Sequence, residues 1–329
     1  MTLHVHLLNE PETEDLRTLI SNLDPEISIS AGADDLDPNA GEIDILVAGR
    51  PQRSQLSVCP RLSRLIIPWS GVPAATRHLL LEFPKIDVHN LHHNAAPTAE
   101  LAISLLLAAA KFVVPFDRSL RENDWRLRYK PNPSMLLEGK TALILGYGHI
   151  GQRVGHFCQA LGMSVIGIRR HPDQVNGGGP DVPILGLQAL PDLLLRTHVL
   201  FITLPATHET EGLIGDEALE RMPPGGILVN VGRGSIVDQE ALYRALKSGW
   251  LRSAGLDVWY HYPDGPQDRQ NTAPADLPFG KLVNVVMSPH RGGASSETEK
   301  LRMQHLARLL NAAARGQPVP NRVDLEAGY

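Results

Sequence analysis

Apolar residues along this chain come in short blocks separated by polar stretches with helical spacing. Residues 3–8, 43–48, 65–67 and 86–89 are strand-length apolar runs, and residues 12–23 carry a helical pattern with acidic residues near its start. Together they predict a small α/β unit. Pro97 opens a long helical run to about Val114 that is apolar nearly all the way round, the pattern of a buried helix. Residues 115–138 are polar, rich in Arg and contain Trp125, and they read as a surface connection. A strand at 141–145, a helix carrying Ile150, Val154, Phe157, Cys158 and Leu161, and a strand at 164–168 follow. Further strand-like runs at 199–204, 226–231, 253–258 and 283–288 alternate with helical segments near 187–196, 216–222 and 238–248. Six strands with helical crossovers predict a doubly wound parallel sheet. The glycines at 177–179 read as a flexible loop and residues 260–280 as a long surface loop. A last helix at 296–314 presents Leu301, His305, Leu306, Leu309 and Leu310, a face suited to returning the chain to its first unit.

Composition narrows the class. At 329 residues the chain suits two domains. A net charge of −5 without a dense Lys/Arg cluster gives no reason to expect nucleic acid. Two cysteines, Cys59 and Cys158, fit a reducing compartment and leave no basis for a disulfide framework or a cysteine zinc site. The N-terminus lacks the pattern of a signal peptide, and no apolar run is long enough to cross a bilayer. The expectation is a cytoplasmic protein with neither metal nor membrane.

The stretch TALILGYGHIGQRVGHFCQALGMSVIGIRR, residues 141–170, holds the clearest chemistry. Gly146, Gly148 and Gly151 form G-x-G-x-x-G between a strand and a helix, with a second strand after. The first glycine allows the tight turn, the second lets backbone approach a pyrophosphate, and the third lets helix and strand pack closely. The anion sits at the helix N-terminus, where N–H groups are free and the dipole is favourable. NAD sites place an acidic residue at the end of the second strand for the ribose hydroxyl. Here Arg169 and Arg170 stand there. A guanidinium grips a 2′-phosphate that a carboxylate would repel, so NADP(H) is expected over NAD(H).

Three further segments lie at strand ends, where ligands of doubly wound sheets bind. They are Asn230-Val231-Gly232-Arg233-Gly234, Gly255-Leu256-Asp257-Val258-Trp259 and Ser288-Pro289-His290-Arg291-Gly292-Gly293. An Arg between glycines is open to a carboxylate, and a His at a strand end can move a proton near neutral pH. With LGYGHIG, LPATHETEGLI, MPPGGILVNVGRGSIVDQEAL, AGLDVW and SPHRGG in this order, the chain resembles the D-isomer-specific 2-hydroxyacid dehydrogenases, within the formate dehydrogenase-like superfamily. The resemblance covers essentially the whole chain. It implies two Rossmann-like domains. A cofactor domain, 104–296, is inserted into a smaller flavodoxin-like substrate domain, 1–103 with 297–329. It further implies a homodimer and a small anionic substrate, a 2-oxo or 2-hydroxy acid. Arg233 would bind the substrate carboxylate and carbonyl, and His290 would be the general acid/base. Ser70, Gly71, Val72 and Asn94 would meet the substrate. Cofactor contacts would extend from the three glycines to His149, Ile150, Leu204, Pro205, Val231, Gly232 and Gly292, with Asp257 near the nicotinamide amide.

The sequence departs from the family pattern at one catalytic position. The family places a Glu five residues after the Asp, paired with the catalytic His; here Tyr262 stands there. A phenol hydrogen-bonds but brings no negative charge at neutral pH, so the substrate and pH optimum are open while the enzyme class is not. Arg291 is a second departure, where an aliphatic residue is usual. Formate dehydrogenases use a neutral Gln at the Glu position and an Asn six residues before a Glu, as with Asn94 and Glu100 here. Oxidation of a small anion such as formate is therefore one alternative. A weakly active, cofactor-sensing dimer is another.

Overall fold

The computed structural model describes residues 2–32, 40–172 and 182–327. The glycines at 177–179 lie outside them. In chain order the elements begin with β1 (Leu3–Leu7), α1 (Thr13–Ile20), β2 (Ile27–Ala31), β3 (Ile45–Val47), α2 (Arg53–Ser57), β4 (Arg64–Ile67), α3 (Ala74–Leu80) and β5 (Asp87–Asn90). There follow α4 (Ala95–Lys111), α5 (Val113–Arg121), β6 (Thr141–Leu145), α6 (His149–Ala160), β7 (Ser164–Ile168), β8 (Ile184–Leu185), α7 (Leu190–Leu194) and β9 (Val199–Ile202). The rest are α8 (Asp216–Arg221), β10 (Gly226–Asn230), α9 (Gln239–Ser248), β11 (Leu251–Leu256), β12 (Val285–Met287) and α10 (Thr298–Ala314). Contacts divide the chain into two compact units, Met1–Asn94 with Ala294–Tyr329, and Ala95–Gly293. The division falls at the start of α4, so the whole helix goes with the second unit rather than being cut at 103/104.

The first unit is a five-stranded parallel sheet in the order β2-β1-β3-β4-β5, the flavodoxin-like arrangement. Its strands are apolar because both sheet faces are covered. One face holds Leu46, Leu56, Leu65, Leu80 and Val88; the other packs Val5, Ile45 and Ile66 against Leu306, Leu309 and Leu310 of α10. The last helix therefore returns to the first unit as its sequence implied. Leu301 and His305 remain half-buried while Met303 is buried, a small shift of the packed stripe.

The second unit is a seven-stranded parallel sheet, β12-β11-β10-β9-β6-β7-β8. Strand order reverses between β6 and β9, which creates the switch-point crevice of a dinucleotide fold. The two-residue β8 adds an edge strand to the six expected. α4 begins at Ala95, two residues before Pro97, and ends at Lys111 rather than near Val114. Phe112 takes a left-handed conformation, φ 53°, and α5 leaves in a new direction. Residues expected to be irregular from 115 thus begin inside a helix. α4 lies on the sheet through Ala99, Ala102, Leu105, Leu106 and Ala109. Gly255 of β11 permits that approach, because a Cβ there would stand 2.7 Å from the Leu105 Cβ. α9 is bounded by a side-chain cap at its start and a left-handed glycine at its end. Asp238 accepts the Ala241 N–H at 2.8 Å, and Gly249 takes φ +80° at the C-cap. Among the described residues no single helix is long and apolar enough to cross a membrane.

One buried residue of the first unit gives a pH prediction. His93 is 4% exposed, and its Nδ1 has no hydrogen-bond partner among the described residues. Burial first, then the Arg302 and His305 charges, lowers its pKa from 6.5 to about 4. Between those values the unfolded chain takes up a proton that the folded one refuses. Stability is therefore fully present above the unfolded value and is lost as pH falls toward about 4. The loss is at most about 3 kcal/mol. Denaturant titrations of wild type and His93→Gln across this window should show a steeper acid loss in wild type. Parallel curves would mean that His93 is protonated in the fold.

Candidate active site

The candidate residues of the second unit collect along the carboxyl ends of its strands. Gly146, at φ +104°, makes the turn after β6. A Cβ there would meet the Leu204 nitrogen at 2.9 Å, and Thr203 Oγ1 donates to the Gly146 carbonyl at 2.6 Å. Gly148 is the N-cap of α6, and a Cβ on it would meet nothing within 4 Å. Gly151 packs so closely that a Cβ would lie 2.3 Å from the Gly146 carbonyl oxygen. Two glycines are thus required by the protein's own packing, whereas the middle one faces open space. That is the arrangement a pyrophosphate cradle needs, placed at the start of α6, because the first N–H groups of a helix have no acceptor within the helix itself. These residues fit a dinucleotide.

The end of β7 is tied to this turn, since Gly146 and Tyr147 donate to the Ile168 carbonyl at 3.0 and 2.8 Å. That fixes Arg169 and Arg170 beside the glycine loop. The Arg169 charge reaches His149, whose pKa is lowered by desolvation first, then by Arg153 and Arg169. Arg170 is ion-paired with Glu209. The pair is solvent-accessible, so it holds Arg170 only weakly.

Next along the sheet, a Cβ at Gly232 would meet the Leu204 carbonyl at 2.6 Å, so the turns after β9 and β10 touch. Leu204, Pro205, Val231 and Gly232 border the same switch point. Asn230, at the end of β10 and 2% exposed, shapes the turn that carries Arg233. Its amide donates to the Arg233 carbonyl at 2.9 Å and its oxygen accepts the Gly232 N–H at 3.0 Å. Arg233 is half-buried, and one of its nitrogens donates to the Gly232 carbonyl at 2.7 Å. Sequence reasoning gave Asn230 no role; the signal was a polar residue ending an otherwise apolar buried strand.

His290 follows β12 in a left-handed conformation, φ 56°. Its N–H donates to the Asp257 carbonyl at 2.8 Å. The Asp257 side chain, 1% exposed, accepts Ser288 Oγ at 2.5 Å, the Arg291 N–H at 2.8 Å and the Gly292 N–H at 2.8 Å. Three of roughly four acceptor positions on this carboxylate are filled by one loop. Asp257 is thus a clamp on the segment that presents His290, and Gly292 serves the clamp, because a Cβ there would be 2.8 Å from Asp257 Oδ2. Tyr262 lies against His290, with ring centroids 5.4 Å apart at 54°. Its hydroxyl accepts the Trp259 N–H at 3.0 Å. The His290 pKa is lowered, by desolvation first and the Arg233 charge second, with Asp257 opposing.

Ser70, Gly71, Val72 and Asn94 belong to the first unit, half-buried at the carboxyl edge of its sheet. Asn90 Nδ2 holds that loop through the Ser70 carbonyl at 2.6 Å. Trp69 stacks over Gly49, where a Cβ would fall inside its ring, and the two border a cavity of about 400 Å³ shared with Asn9 and Arg50. Arg50 was not singled out from the sequence; a lone Arg after a strand gives little signal. Among the described residues no group of His, Cys, Asp or Glu is placed to hold a metal.

Two doubly wound units, one with an open glycine loop at its switch point, define a dinucleotide-binding α/β protein. The model of the NAD-binding domain of D-isomer specific 2-hydroxyacid dehydrogenases matches residues 103–292. The chain belongs to the D-isomer specific 2-hydroxyacid dehydrogenase family, whose members are NAD(P)-dependent oxidoreductases. Relatives include glyoxylate reductases from Korarchaeum cryptofilum, 39% identical over 236 residues, and Aeropyrum pernix, 40% identical over 239. Each alignment covers 70% of this chain and 66% of the relative, just under two thirds of its length. A D-isomer specific 2-hydroxyacid dehydrogenase from Xanthobacter autotrophicus Py2, solved with NADPH and MES, has the same fold. The TM-score is 0.81 with 22% identity, over 100% of both chains.

Proposed function

We propose that this protein is an NADP(H)-preferring reductase of small 2-oxo acids, working reversibly on the 2-hydroxy acids. The observation that carries the reading is the grouping of Arg233, His290 and Tyr262 along the strand ends that continue from the glycine loop. Arg233 binds the substrate carboxylate and steadies negative charge on the carbonyl oxygen. His290, as imidazolium, gives its proton to that oxygen during reduction and, as imidazole, accepts it during oxidation. A bound nicotinamide supplies or takes the hydride. Tyr262 packs the imidazole and limits its rotation. Ser70, Gly71, Val72 and Asn94 take up the substrate from the first unit. Glyoxylate is the first substrate to try, given the two relatives. Exposed Val113, Leu120, Trp125, Tyr129 and Leu136 favour a homodimer. Two buried, free cysteines suit the reducing cytoplasm.

The test is NADPH oxidation with a panel of 2-oxo acids, followed by NADP⁺ reduction with formate. Turnover with formate and none with any 2-oxo acid would overturn the reading. The cofactor half has its own test. NADPH should give the higher kcat/KM, and Arg169→Asp should reverse the preference, because a carboxylate repels the 2′-phosphate and accepts the ribose hydroxyl. Equal or better kcat/KM with NADH in wild type would remove the NADP(H) preference.

A further inference from the structure

The second unit has a cavity of about 410 Å³ at the opposite edge of its sheet, where the strands begin. One water occupies roughly 30 Å³, so there is room for a small polyatomic ion. Lys140 precedes β6, His198 precedes β9, Gly225 precedes β10, and Arg252 is the second residue of β11. Those strands are consecutive in the sheet, in the order β11-β10-β9-β6. Three basic side chains therefore face one concavity, and among the described residues no Asp or Glu lines it.

Two of the basic groups are positioned by hydrogen bonds. His198 Nδ1 accepts the Thr141 N–H at 3.1 Å, so the neutral ring carries its proton on Nε2 as a donor. Arg252 is anchored by one nitrogen, which donates to the Pro133 carbonyl at 2.6 Å. Its Nε is buried with no acceptor among the described residues, a costly state for a charged donor. Gly225, at φ +84°, leaves space beside the guanidinium, since a Cβ there would stand 3.3 Å from Nη2. The Lys140 ammonium has no carboxylate partner among the described residues. Like charges gathered in a concave site repel, and among the described residues no carboxylate lines the cavity to neutralise them. Desolvation and the Lys140 charge both lower the His198 pKa, in keeping with that repulsion.

We propose that this cavity is a binding site for a multiply charged oxyanion, a phosphate or a polycarboxylate, held by Lys140, His198 and Arg252. It is separate from the glycine loop, which lies at the other ends of the same strands. Occupancy stabilises the fold, since the ligand ties the beginnings of β6, β9 and β11 together only in the native state.

The experiment is thermal unfolding of the full chain saturated with NADPH, titrated with inorganic phosphate or citrate against sodium chloride at matched ionic strength. Phosphate or citrate should raise Tm beyond the chloride control, and which acts distinguishes the two sources. Lys140→Ala, which removes no structural hydrogen bond, should weaken the apparent affinity about tenfold, as should His198→Asn, which keeps an acceptor for Thr141. Arg233→Ala should leave the response intact. No response above chloride, a wild-type response in both cavity variants, or loss of the response in Arg233→Ala would each overturn the assignment.

Discussion

His290→Asn and Arg233→Ala are each expected to lose at least about a hundredfold in kcat/KM for a 2-oxo acid, the scale of removing a general acid or a transition-state donor. Asn is the informative replacement at 290, because it tolerates the left-handed backbone there while removing the titrating ring. NADPH binding, followed by fluorescence, should survive both changes, since neither side chain belongs to the glycine loop. The same assignment fixes the pH dependence. Desolvation and the Arg233 charge lower the His290 pKa. Reduction needs the imidazolium, so its kcat/KM falls as pH rises through a value below that of an ordinary histidine. Oxidation needs the neutral ring, so its kcat/KM rises through the same value and then levels. Tyr262→Glu puts a carboxylate beside the ring that now lies 5.4 Å from Tyr262 and should move both limbs to higher pH. Near-wild-type reduction by His290→Asn would show that another group gives the proton.

What the sequence could reveal follows from the range of the interactions involved. The βαβ unit from Thr141 to Ile168 was legible because its signals are local: an apolar strand, three glycines at fixed offsets and a helical stripe. The other expected strands of the second sheet were legible for the same reason, with ends shifted by a residue or two; β11 begins two residues earlier than expected, at Leu251. β2 was missed because its residues, Ile-Ser-Ile-Ser-Ala, alternate on a half-exposed edge and form no apolar block. The two residues of β8 give too short a pattern to register. The break at Phe112 was hidden because Phe112, Val113 and Val114 continue the apolar run while the backbone turns; nothing in side-chain hydropathy marks a left-handed residue. The pairing of Arg170 with Glu209 and the filled carboxylate of Asp257 depend on partners 39 and 31 to 35 residues away. Residue type identified these positions as interesting, but the partners come only with the fold.

Asp257 is expected to be the most consequential of these positions for stability. In Asp257→Ala the Ser288 hydroxyl and the Arg291 and Gly292 N–H groups lose their acceptor in a site where Asp257 itself is 1% exposed. An unsatisfied buried donor costs about 1–3 kcal/mol, so the variant should lose about 3–5 kcal/mol. Asp257→Asn keeps the shape, yet offers one acceptor and turns an NH₂ toward a donor, so it should lose nearly as much. The kinetic effect follows from the same geometry. The Asp257 carbonyl and carboxylate together hold both sides of His290, and loosening them lets the left-handed residue relax. kcat should fall about tenfold or more while the KM for NADPH changes little, because three of the carboxylate's acceptor positions hold the loop that presents His290. Ser288→Ala removes one of the three bonds and should give a partial loss of both stability and kcat. If Asp257→Asn instead keeps wild-type stability and raises the KM for NADPH, the carboxylate acts on the nicotinamide amide, and the clamp on His290 does not depend on it.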